Sequence, residues 1–179
     1  SDRRRMKQLT STELKRLHRS WRKNEPPRLA LMLEGLGGPY NLGSILRTAA
    51  AYRVEHLYLA AMQIDPTSTN VGKTALGPDR FVPWTVHDDF AKATEAARAA
   101  GHSLVGLELA DQAVAIHDAV LSTPMCLVIG HEDRGLSKAA LAECDSVVFL
   151  PQLGRIGSLN VATAASIAMY EARRQAFTA

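Results

Sequence analysis

"LPQLGRIGSLNVATAASIAMYE", residues 150–171, leaves an apolar run, passes through a proline and two glycines, and ends in a stretch of small and apolar residues. Pro151, Gly154 and Gly157 describe a chain that turns repeatedly before any helix begins. From Val161 onward, Ala, Ile and Val dominate, and a buried helix is expected. Ser158 and Asn160 stand at the joint as polar groups at a helix start. Ala162, Ala164 and Ala165 suit close packing, in a plain buried helix or in an interface. The apolar run "SVVFL" (146–150) reads as a strand. Strand, glycine-broken loop and helix together are the building unit of an α/β protein.

The same alternation extends back to Pro27. Strands are expected at 28–34 ("RLALMLE"), 56–60 ("HLYLA"), 103–109 ("SLVGLEL") and 125–130 ("MCLVIG"). Helices are expected at 42–52, 89–100 and 137–143, the second stopped by Gly101. The fold class is therefore α/β, a mostly parallel sheet flanked by helices. In such sheets ligands bind beyond the carboxyl ends of the strands, so the chemistry should lie in the loops that follow them.

A chain of 179 residues with 46% apolar composition suits one compact domain with a substantial core. It has no apolar run of membrane-spanning length, and a cytoplasmic protein is expected. Two cysteines, Cys126 and Cys144, give neither a disulfide framework nor a zinc pattern, and no metal is expected. Charge is unevenly spread. Residues 1–28 hold ten Lys and Arg against three acids, or +7, while the rest sums to −4. Within that leader, Thr10 precedes Glu13 at capping-box spacing, and Leu14, Leu17 and Trp21 follow at helical intervals. Residues 1–27 thus read as a basic helical extension and 28–179 as the main domain, with Pro26 and Pro27 at the boundary. The basic face is either a solvated helix surface or a phosphate-binding one, and Trp21 either stacks on a base or packs on the domain.

Three loops stand out. "EGLGGPYNLGSILRTA" (34–49) joins a strand to a helix through glycines and places Asn41 where it could cap the helix carrying Arg47. It fails the dinucleotide pattern GxGxxG, because Tyr40 takes the sixth position. "IGHEDRGLS" (129–137) sets Gly130, Glu132 and Gly135 in a tight turn. The third is the opening stretch, where Gly154 is expected to let the backbone approach a ligand closely.

Together, "NLGSILRTAAAY" (41–52), "LVIGHEDRGLS" (127–137) and the stretch 150–171 resemble the three motifs of the SpoU (TrmH-like) branch of the SPOUT RNA methyltransferases. The resemblance implies S-adenosylmethionine-dependent 2′-O-methylation of an RNA ribose, a homodimer, and a C-terminal trefoil knot. It carries Asn41, Arg47, Glu132, Ser158 and Asn160 over as catalytic-site residues; in our reading Glu132 and Asn41 orient Arg47. It assigns the cofactor pocket to Leu107, Gly130, Leu150, Leu153, Ser158 and Leu159. Family accounts make Arg47 a base; a guanidinium that stabilises an alkoxide and grips a phosphate fits its high pKa better. This chain departs from the pattern at His131-Glu132-Asp133 and at Pro151-Gln152, which bears on pocket detail. The RNA is tRNA or rRNA, with tRNA favoured because a short basic helix precedes the core. Two other classes stand beside this reading: a nucleotide-dependent Rossmann oxidoreductase and a catalytically silent RNA-binding SPOUT protein.

Overall fold

A computed structural model describes residues 5–75, 82–121 and 123–177. Arg3 and Arg4 of the basic leader lie outside them. The helices are α1 (Ser11–Trp21), α2 (Pro39–Ala51), α3 (Thr69–Ala75), α4 (Phe90–Ala99), α5 (Lys138–Glu143) and α6 (Val161–Phe177). The strands are β1 (Leu29–Glu34), β2 (His56–Ala60), β3 (Trp84–His87), β4 (Ser103–Leu107), β5 (Val114–Ala115), β6 (Met125–Ile129) and β7 (Ser146–Phe149).

Among the described residues, seven strands join one sheet in the order β3-β2-β1-β6-β4-β7-β5, and each pairing of these strands is parallel. Parallel strands covered on both faces need apolar residues on both faces, which is why β1 and β6 read as unbroken hydrophobic runs. Along β1 the faces separate cleanly. Leu29, Leu31 and Leu33 pack with Leu42, Ile45 and Leu46 of α2 and Ala165, Ala168 and Met169 of α6. Ala30 and Met32 join Phe90, Ala93 and Ala97 of α4 and Ala140 of α5 on the other face. The classical dinucleotide fold runs 3-2-1-4-5-6. Here the order leaves that path after β1, so the Rossmann alternative loses its topology as well as its glycine pattern.

One expectation changes. The α2 helix begins at Pro39, with Gly38 as its N-cap, so Asn41 lies in the first turn and does not cap it. The reason is that Pro39 lacks the N–H that a first helical residue leaves unpaired, and its fixed φ already suits a helix. Trp21 packs against Phe177, with ring centroids 5.4 Å apart, and so docks the leader on the end of α6. The α1 capping box forms as expected, Thr10 N–H donating to Glu13 and Glu13 N–H to the Thr10 hydroxyl, yet no residue of this helix is buried. No helix among the described residues is long and apolar enough to cross a membrane.

Arg173 was unremarkable in sequence and is buried in the fold. Its guanidinium donates to the carbonyls of Tyr52 (2.8 Å), Pro27 (2.6 Å) and Arg53 (2.8 Å), tying α6 to the α2–β2 turn and to the entry of β1. Burial lowers its pKa from the ordinary arginine value, with Arg53 adding to the effect. Arg173→Met leaves three carbonyls without their donor, and unpaired buried groups cost about 1–3 kcal/mol each. Chemical denaturation is expected to show a loss of about 3 kcal/mol, allowing for partial rescue of these carbonyls by water.

Candidate active site

The carboxyl ends of β1, β6, β4 and β7 bring the three unusual loops together. The first contact is a carboxylate on a glycine turn. Glu132, three residues past β6, accepts from Gly38 N–H at 2.6 Å and from Gly37 N–H at 3.2 Å. Its side chain fills the space beside Gly38, where a Cβ would lie 2.8 Å from Oε1. The "GLGG" run, which fails as a dinucleotide fingerprint, thus serves to present two backbone donors to one carboxylate. Burial by itself would raise the pKa of Glu132. Hydrogen bonds from its own backbone N–H, Gly38 and Gly37, with His131 nearby, overcome that and hold the carboxyl below the usual range.

The second contact joins the first loop to the third. Asn160 accepts through Oδ1 from Ala162 N–H (2.9 Å) and Thr163 N–H (3.2 Å), and so caps α6. Its amide Nδ2 donates to Asn41 Oδ1 at 3.1 Å. Deeper along the same helix pair, the hydroxyls of Thr48 and Ser166 lie 3.2 Å apart. One asparagine therefore starts α6 and fastens it to α2.

The glycines of the second loop set its shape. His131 and Gly135 exchange both backbone hydrogen bonds, at 3.0 and 3.1 Å. Gly135 has φ +67°, and a Cβ on Gly130 would run into the Gly135 backbone, so neither position admits a side chain. The ring nitrogen Nδ1 of His131 accepts from Asp133 N–H at 3.0 Å, which gives the histidine a turn-holding role.

Between these loops lies a cleft of about 190 Å³. Leu107, Gly130, Glu132, Leu150, Ser158 and Leu159 line it, so five of the six residues expected in the cofactor pocket meet there. Leu153 does not. Its side chain is fully exposed, in a loop whose residues from Pro151 to Asn160 are all exposed. Gly154 differs as well: nothing lies within 4 Å of a Cβ built there, so its lack of a side chain relieves no crowding within the chain.

Arg47 is exposed on α2 and has no hydrogen-bond or ion-pair partner among the described residues. The expected orientation of Arg47 by Glu132 and Asn41 is not found. Glu132 is taken up by Gly37 and Gly38, and Asn41 by Asn160. Six residues of helix also separate Asn41 from Arg47, about 9 Å along the axis and on different sides. Sequence reading missed Glu108 of the cleft wall, whose signal was its place directly after a strand at the sheet's carboxyl edge.

The model of the SpoU rRNA methylase family matches residues 28–170. The chain belongs to that family. Among SpoU relatives, a tRNA/rRNA methyltransferase of Synechocystis sp., itself uncharacterized, is 36% identical over 89% of this chain and 58% of its own length. The tRNA (guanosine(18)-2′-O)-methyltransferase of Thermus thermophilus is 31% identical over 95% of this chain and 86% of its own. The SpoU methyltransferase AviRb of Streptomyces viridochromogenes, solved in complex with the cofactor AdoMet, superposes with a TM-score of 0.79 at 31% identity. That match covers 87% of this chain and 63% of AviRb. Four curated SpoU relatives from staphylococci and Synechocystis are spanned over only 38–58% of their length. The α/β architecture with its parallel sheet is thus the SpoU architecture.

Proposed function

We propose that this chain is an RNA 2′-O-ribose methyltransferase that uses S-adenosylmethionine. The observation that carries the reading is the meeting of three loops around one cleft, Glu132 bound to Gly37 and Gly38 and Asn160 bound to Asn41. The residues present fit the cofactor. Leu107, Leu150 and Leu159 supply apolar walls for a flat adenine, and Gly130 lines the cleft beside them. Ser158 adds a hydroxyl at the cleft wall. When bound, S-adenosylmethionine supplies an electrophilic methyl group on a sulfonium.

The rest falls to this chain's own residues. Arg47 faces the open side of α2, where a guanidinium can grip an RNA phosphate and stabilise the 2′-oxygen as negative charge develops. A guanidinium donates hydrogen bonds and accepts none, so Arg47 orients and stabilises and does not take the proton. We assign the gripped phosphate as the acceptor for the hydroxyl proton. Glu132 and Asn160 act behind the reacting groups by fixing the loops. Asn160→Ala is expected to cost about 1 kcal/mol through loss of the cap. Asn160→Asp keeps the cap oxygen and loses the amide to Asn41, so thermal melting should stay near wild type while methyl transfer falls.

The tRNA guanosine 2′-O-methyltransferase activity of the Thermus relative supports RNA ribose as the acceptor and tRNA as the favoured substrate class. Leu153 and Ile156 of the 150–160 loop and Ile167 of α6 are large apolar side chains left exposed, which supports a homodimer. The return of the chain from β7 to α6, which packs on α2 and β6, supports the trefoil knot that the resemblance implies. Calorimetry is expected to register S-adenosylmethionine and not NAD; the reverse result would favour an oxidoreductase. The +7 leader contributes RNA affinity in this account. Deleting residues 1–24 should weaken RNA binding and flatten its salt dependence, while cofactor affinity stays the same.

A further inference from the structure

We propose that Glu108 is a side-chain recognition element for the ribose hydroxyls of the cofactor. The inference rests on the cofactor reading above and adds a residue to it. Glu108 directly follows β4 and lines the cleft opposite the 150–160 loop. Its Oε1 accepts from Leu109 N–H at 2.9 Å and its Oε2 from Leu136 N–H at 2.9 Å. The carboxylate is thereby held at a fixed place, between its own strand end and the turn after Gly135. Gly135 lacks a side chain at the one point where a Cβ would strike that carboxylate. The tight turn and the acid are fitted to each other.

A carboxylate has two oxygens and about four lone-pair sites, of which these backbone bonds use two. The remaining sites lie on a group that lines the cleft. They can accept hydrogen bonds and can donate none, so they match a partner with two adjacent donors. A vicinal diol is such a partner, and ribose is the only part of S-adenosylmethionine that carries one. The other cleft acids are less suited. Glu132 is committed to the Gly37–Gly38 turn, and Asp133 is exposed.

The test compares two probes, S-adenosylhomocysteine and its 2′,3′-dideoxy analogue, on wild type and on Glu108→Gln, by calorimetry. Gln keeps the size and one acceptor oxygen for Leu136 N–H. Hydrogen bonds to a charged group are expected to be worth about tenfold or more in affinity. Glu108→Gln should therefore weaken S-adenosylhomocysteine by about tenfold and leave the dideoxy analogue within about twofold. A substitution that merely loosened the Gly135–Leu136 turn would weaken both ligands by the same factor. Equal loss, or no loss for either, overturns the proposal. If Glu108→Gln fails to fold, Glu108→Asp, which withdraws the carboxylate by one methylene, provides the same comparison. Wild type binding neither probe would refute the cofactor reading itself, a result distinct from equal loss.

Discussion

Arg47→Lys lowers single-turnover methyl transfer by about 10²- to 10³-fold at saturating RNA, the usual effect of removing a donor aimed at developing negative charge. Affinity for S-adenosylmethionine stays within about twofold, since α2 holds Arg47 outside the residues that line the cleft. Lysine keeps the charge and loses the planar fork that can hold an alkoxide and a phosphate oxygen together. Arg47 is exposed and unpaired among the described residues, so the substitution breaks no internal contact and the fold should melt as before. Near-normal turnover in the variant would remove Arg47 from the mechanism. Loss of cofactor binding would mean that it belongs to the cleft.

Gly130→Val has the opposite signature. Its Cβ meets the backbone of Gly135 and Leu136, which no side-chain rotation can relieve. The turn must open, and Glu132 must leave Gly37 and Gly38 or take strain. Thermal melting should drop by an amount corresponding to several kcal/mol, of order 3–5, and calorimetry should find no cofactor binding. Gly154→Val is the matched control, because its Cβ enters open space. It should fold like wild type. A stable Gly130→Val protein that binds S-adenosylmethionine normally would show that the cleft tolerates a different turn.

The core of the sheet was readable because parallel strands buried on both faces leave continuous apolar runs, as at Leu29–Leu33 and Met125–Ile129. The edges were not. Trp84–His87 carries partly exposed polar residues and Val114–Ala115 has only two residues, so neither produces a run. The start of α2 was placed three residues late because Pro39 looks like an interruption until its N–H is counted as one a helix start never uses. In the site, residue identity was legible and partnership was not. Asn160 was visible at a helix start, and Glu132 in a turn. That one would reach Asn41 and the other Gly37 and Gly38 depends on sequence separations of 119, 95 and 94 residues, which no local pattern encodes. Leu153 is assigned to the pocket through its motif, but its side chain is fully exposed and does not line the cleft. Arg173 is one of two neighbouring helix arginines in the sequence; only the crossing of three chain segments near its guanidinium gives it a structural task.

The most direct test of the account is the chemical position of the transferred methyl group. The protein is incubated with methyl-labelled S-adenosylmethionine and with RNA from cells lacking its gene, and the RNA is then hydrolysed in alkali. Methylation of a 2′-oxygen blocks attack on the adjacent phosphate, so the account predicts label in alkali-resistant dinucleotides and, after complete digestion, in a 2′-O-methylnucleoside. Label recovered on a base, or no label transferred by a protein that binds the cofactor, would contradict it.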